Sequence, residues 1–188
     1  WIVWERFSGG ATTFTHAKWW GLEAYYNGTW WLACNEPSPS FQITFYEPGA
    51  LPGLPVCSYT VVPSRLDTGH DFVPFGLLYQ YEHDLSPPCI LTSGWISIQG
   101  NNGDPNCWFL WGPSLSGDGS TLQSDGVTFF NRAMDRGICL SGPVCGNGIV
   151  EPGEACDLVF TQPHRNHNRS PCSGPLCRGR SPTRSRRP

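Results

Sequence analysis

The stretch Phe41-Gln42-Ile43-Thr44-Phe45-Tyr46-Glu47 decides the fold. Phe41, Ile43 and Phe45 recur at period two, and successive side chains of a β-strand point to opposite faces. One face of this segment is therefore expected to be buried. Aromatic and β-branched side chains suit such a pleated, half-buried surface. The same grammar recurs on either side. Residues 2–7, 13–20, 56–62, 76–83, 95–99, 127–130 and 137–140 all read as short strands. Within 13–20, Phe14, His16 and Lys18 alternate with Thr15, Ala17 and Trp19. Cys107–Trp111 (CWFLW) is apolar almost throughout, as expected of a strand covered on both faces. Turn-rich clusters at 36–40, 48–55, 86–88, 100–106 and 112–120 separate these segments. Only 131–136 reads as a short helical turn. The expected fold is all-β: a two-layer antiparallel β-sandwich of jelly-roll type.

Composition supports this reading. Charged residues make up 14% of the 188, against about 25% in an ordinary soluble domain. The 22 Gly and 18 Pro favour many turns over long helices. A single Met and a single Lys, Lys18, point the same way, because both are good helix formers. No run of about 18 apolar residues exists, so no membrane-spanning helix is expected. The chain opens on Trp1, and a preceding segment is expected.

The net charge of −3 conceals a split. All 15 Asp and Glu lie in 1–157, with Arg6, Lys18, Arg65, Arg132 and Arg136. Residues 158–188 hold seven Arg and no acid. The expected organisation is a sandwich domain over 1–142, a Cys-rich appendage over 143–157, and an Arg/Pro/Ser-rich tail over 158–188. The tail is expected to be an unrelated or out-of-frame continuation with little packed structure. A basic tail that contacts anionic surfaces is the alternative, but no nucleic-acid partner is expected.

Nine Cys are dispersed along the chain without a CxxC pair, which excludes zinc-ribbon spacing. Dispersed Cys in a Gly/Pro/Trp-rich chain point to an oxidising, extracellular compartment. Spacing alone leaves their pairing open. Asn27-Gly28-Thr29 and Asn168-Arg169-Ser170 are glycosylation triplets.

Two stretches carry a likeness to known families. The order Lys18-Trp19-Trp20-Gly21, Phe41 to Tyr46, Leu51-Pro52-Gly53-Leu54-Pro55 and Trp95-Ile96-Ser97-Ile98 resembles a β-sandwich module of secreted bacterial proteins. That likeness implies a place beside surface-anchoring or repeat segments, and carries over no enzymatic activity. The stretch from Val144 through Cys145-Gly146-Asn147-Gly148 to Cys156-Asp157 resembles the opening of bacterial Cys-rich repeats, and is similar to the opening of disintegrin domains. The resemblance implies a Ca²⁺ held by Asn147, Glu151, Glu154 and Asp157, with the carbonyls of Val144 and Ile149. Three carboxylates, an amide oxygen and two carbonyls form a hard-oxygen set of the kind Ca²⁺ takes.

Other candidate chemistry is weighed residue by residue. Tyr25, Tyr26, Trp30 and Trp31 crowd one region and Trp108 and Trp111 another. Exposed rings of this kind stack on sugars, whereas buried ones are core. Trp19 and Trp95 are expected in the core, and Trp30 and Trp31, beside the turn residues Asn27-Gly28, are expected to be exposed. His70-Asp71 and His83-Asp84 could supply a two-His, two-carboxylate metal site only if brought together by the fold. Otherwise they are surface residues. His16 reads as a half-exposed strand residue. Asp118-Gly119 and Asp125-Gly126 are turn formers first. No G-x-S-x-G, H-E-x-x-H or P-loop is present. A glycosidase would have to use spaced acids such as Glu47, Glu82 and Asp84.

The expected function is a non-catalytic extracellular module for surface display, adhesion or domain spacing, meeting glycans or other cell-surface components. The alternative is a carbohydrate-binding module acting through Trp30, Trp31 and nearby tyrosines. A glycosidase-like enzyme ranks third.

Overall fold

A computed structural model describes residues 1–8, 13–34, 38, 40–73, 75–102, 104–114, 117–143 and the backbone of 176–178. The described chain is all-β, with antiparallel pairing throughout and no helix among the described residues. The first sheet runs β12 (Phe129–Arg132), β11 (Thr121–Ser124), β1 (Ile2–Ser8), β8 (Ser93–Asn101), β4 (Ser40–Tyr46), β5 (Pro55–Val61). The second runs β15 (Leu176–Arg178), β14 (Ile138–Ser141), β2 (Thr13–Tyr26), β7 (Gly76–Ile90), β6 (Ser64–Phe72). β3 (Trp31–Ala33) and β9 (Cys107–Trp111) also pair with β2, and β10 (Pro113–Ser114) pairs with β13 (Asp135–Arg136).

One apolar core joins the two sheets. Phe7, Phe41, Ile43, Phe45, Ile96 and Ile98 come from the first, and Phe14, Ala17, Trp19, Tyr81, Trp111, Ile138 and Leu140 from the second. Phe41, Ile43 and Phe45 are fully buried, as their period-two spacing requires. Phe45 stacks on Phe14 at 5.8 Å, and Trp19 meets Phe41 edge-on at 5.5 Å, so rings from opposite sheets interlock. Trp95 is buried too, but on the other side of the first sheet. There it packs with Trp4 and Leu122, and its Nε1–H donates to the Gly49 carbonyl. The Pro/Gly-rich loop after β4 thus covers a second, smaller apolar cluster.

Two disulfides cross-link the chain. Cys57–Cys89 ties β5 of the first sheet to β7 of the second. Cys34–Cys107 ties the exit of β3 to the start of β9, closing a separation of 73 residues across β2. Such dispersed disulfides fit an oxidising environment.

Several expectations are corrected. β2 does not stop at Trp20 but continues to Tyr26, and the chain turns back at Asn27-Gly28 into β3. The 86–88 cluster lies inside β7, where the ladder skips from Phe14↔Cys89 to His16↔Asp84. The two prolines occupy this unpaired interval, where their missing N–H costs nothing. The same irregularity turns the chain over, so that Phe14 and Ala17, three apart, both face the core. Residues 131–136 form strand ends of β12 and β13, not a helical turn. Cys107–Trp111 is not covered on both faces, because Trp108 is 45% exposed. Within 158–188, the described residues Leu176–Arg178 pair with β14, setting Cys177 opposite Cys139 in the register.

Candidate binding surface

The C-terminal half of β2 is flanked on both sides. Tyr26 pairs with Trp31 and Ala24 with Ala33 on the β3 side, while Ala24 pairs with Trp108 on the β9 side. Directly opposed residues of antiparallel strands share a face. Tyr26, Trp31 and Trp108 therefore stand together on the face turned away from the core, which is the Trp19 and Glu23 side of β2. Their rings form a row, with Tyr26 to Trp31 at 5.5 Å and 47°, and Trp31 to Trp108 at 5.4 Å and 60°. Tyr26 and Trp108 are 47% and 45% exposed, and Trp31 between them is half-buried. Ala24 is fully buried on this face, so it forms the floor beneath the rings.

The surroundings hold the row in place. Asn27 Oδ1 accepts the backbone N–H groups of Thr29 at 2.9 Å and Trp30 at 2.8 Å, and Gly28 takes a φ of 97°. This turn fixes the angle at which β3 leaves β2. Trp30 projects from it, 67% exposed. Trp108 Nε1–H donates to the Pro105 carbonyl at 3.2 Å, which orients its indole. The Cys34–Cys107 bridge joins the two flanking strands one residue before Trp108 and one after Ala33.

Beneath this surface lies a buried acid. Glu23 Oε2 accepts the Ser38 N–H at 2.7 Å and Oε1 accepts the Tyr81 hydroxyl at 3.3 Å. Burial raises the Glu23 carboxyl above its ordinary value. Burial first, then the neighbouring Glu23, pushes the Tyr81 phenol up. Neither group reaches the aromatic row. Their role is to tether Ser38 to the floor of the sheet.

Of the residues expected to bind, Tyr26 and Trp31 lie in this row, and Trp30 is exposed on the turn beside it. Tyr25 does not, because it pairs with Leu32 and Cys107 and faces the opposite side of β2. Trp108 completes the row and was grouped with a separate cluster in the sequence. Only the register of β9 on β2 brings it to Trp31. The Asn147, Glu151, Glu154, Asp157, Val144 and Ile149 set lies outside the described residues.

The acids and histidines are spread apart. Glu82 pairs with Lys18 at 3.1 Å, and Asp84 accepts from His16 Nδ1 at 2.7 Å, both on the open face of the second sheet. Glu47 follows β4 in the first sheet, so the three suspected acids do not converge. Asp71 pairs with Leu77, six residues along β7 from His83. That is about 20 Å of strand, so the two His-Asp pairs do not meet. Among the described residues no three His, Cys, Asp or Glu side chains converge. Asp118 and Asp125 act as turn formers, accepting the N–H of Ser120 and of Val127 and Thr128. Comparison with protein-family models, curated proteins and solved structures finds no match to this chain.

Proposed function

We propose that this chain is a non-catalytic extracellular module for adhesion or surface display, and that it makes contact through glycans laid on the Tyr26–Trp31–Trp108 row. One observation carries the reading: three aromatic rings are contiguous on the outward face of β2, and the two outer ones are 47% and 45% exposed. Contiguous, part-exposed aromatic surface is the kind that marks an interaction site. Sugar rings suit it because their C–H faces stack on π-systems while their hydroxyls stay in water. The rings are tilted by 47° and 60°, so each offers its face in a different direction. A twisted or branched oligosaccharide fits such a surface better than a flat crystalline polysaccharide. The jelly-roll connectivity of the sandwich belongs to this proposal, as does secretion into an oxidising compartment.

The test is a glycan array probed with the whole chain, with and without calcium, beside Trp108→Ala and Trp31→Ala. Binding that both substitutions abolish supports the proposal. Binding that survives both removes the aromatic row from the account, and turnover of a bound glycan overturns the non-catalytic part. Absence of any binding returns the module to spacing its neighbours.

A further inference from the structure

Glu5 occupies a place that the strand pattern reserves for an apolar side chain. It lies on β1 between Val3 and Phe7, both packed on the main core, and pairs with the fully buried Ile96 on β8 and Thr121 on β11. Its residue exposure is 1%. A carboxylate in such a place needs a compensating partner. Glu5 Oε2 has two donors: the Thr121 hydroxyl at 2.7 Å and the Arg136 backbone N–H at 3.0 Å. Oε1 has none, although it is fully buried.

The nearest acidic neighbour makes the need greater. The Asp135 carboxyl, on a residue 6% exposed, lies within hydrogen-bonding reach of Glu5. The loop before β11 wraps it. Gly119 N–H donates to Asp135 Oδ1 at 3.0 Å, and a Cβ on Gly117 would collide with the carboxyl. Thr121 Oγ1 touches both Glu5 Oε2 and the Met134 carbonyl oxygen. A hydroxyl carries one proton and can donate to only one of these two acceptors. The Arg136 guanidinium donates to the Trp111 carbonyl and, among the described residues, forms no contact ion pair, so it attracts Glu5 only from a distance. Burial pushes the Glu5 carboxyl up to about 8 when only protein surrounds it.

Oxygen atoms from β1, β11 and the start of β13 thus meet at one buried point, where a cation would take the place of the proton that burial otherwise holds on Glu5. We propose that Glu5, Asp135, the Thr121 hydroxyl and the Met134 carbonyl form a structural Ca²⁺ site that fastens β1 to the C-terminal end of the sandwich. All the donors are hard oxygens, which selects Ca²⁺ or Mg²⁺ over softer ions. A mixture of carboxylates, a hydroxyl and a carbonyl from three strands suits the irregular shell of Ca²⁺ better than the strict octahedron of Mg²⁺. None of these four residues belongs to 144–157, and the proposal is independent of the glycan proposal.

The experiment is thermal unfolding of the whole chain at neutral pH after chelation, with CaCl₂ or MgCl₂ added back. Ca²⁺ is expected to raise Tm by about 5 °C or more, because it binds the folded form alone, and Mg²⁺ to do much less. Glu5→Gln and Asp135→Asn should each remove the rise. A chain carrying Glu151→Gln, Glu154→Gln and Asp157→Asn should keep it. No rise in the wild type, or a rise lost only in the triple variant, overturns the proposal. Should Glu5→Gln and Asp135→Asn fail to fold, terbium luminescence of the triple variant decides. Emission sensitised by nearby indoles and quenched by Ca²⁺ is expected, and no sensitised emission overturns the site.

Discussion

Gly21 shows how one residue sets the packing under the proposed surface. A Cβ there would stand 2.2 Å from the Phe109 ring, which lies across β2 and packs on Phe41 at 5.0 Å. Gly21→Ala is therefore expected to cost about 1–3 kcal/mol through overpacking, read as a lowered midpoint in urea. Trp108 is the opposite case. Its exposed ring contributes little to the core, so Trp108→Ala should leave the midpoint nearly unchanged. It should weaken glycan binding about tenfold or more, roughly 1.4 kcal/mol, by calorimetric titration. Glu23 gives a pH signature. Its folded-state pKa is raised by burial above the ordinary 4.5, so the native state holds its proton more tightly than the unfolded chain. The stability that Glu23 contributes is complete below about 4.5 and is lost as pH rises through the folded value. The unfolding free energy of wild type relative to Glu23→Gln should accordingly fall as pH rises from 4, and a constant difference would contradict this. Legibility at this scale was uneven. Exposure of Trp30 followed from the adjacent Asn27-Gly28 turn, and burial of Trp19 and Trp95 from their apolar neighbours. Tyr25 was misplaced because the chain gives no sign of which of two adjacent tyrosines faces outward until the register of β2 is known. Trp108 was missed as a partner of Trp31 because 77 residues separate them.

At the scale of elements, strands with an apolar face were legible and edge strands were not. β4 was readable because Phe41, Ile43 and Phe45 all enter the core. β6, Ser64–Phe72, reads SRLDTGHDF and is exposed along nearly its whole length. An edge strand has one neighbour and buries little, so its composition matches that of a loop. The over-turning at Phe14/His16 was hidden for another reason. The sequence alternates without a break, while the irregularity arises from the extra residues of β7 opposite it. The Cys57–Cys89 bridge joins the two sheets and closes a separation of 32 residues. Replacing both Cys by Ala should cost about 3–4 kcal/mol on a chain-entropy estimate, measurable as a lower denaturant midpoint in the absence of reductant. A midpoint unchanged within error would remove this clamp from the account of stability.

Across the whole molecule, the two sheets divide the work. Their facing sides hold the aromatic core. The outward side of the first sheet is closed by Trp4, Trp95 and Leu122 under the loop after β4. The outward side of the second carries ion pairs at one end and is open around the aromatic row at the other, with Leu22 and Cys139 buried on it. Contact through that open face is the central claim. Indole N–H resonances test it most directly, because the nine Trp report separately from the core, the first sheet and the proposed surface. On titration with a glycan that the array identifies, the Trp31 and Trp108 signals should move, with Trp30 following, while those of Trp19 and Trp95 stay in place. Shifts confined to Trp1 and Trp4, or no shift at saturating glycan, would contradict the account.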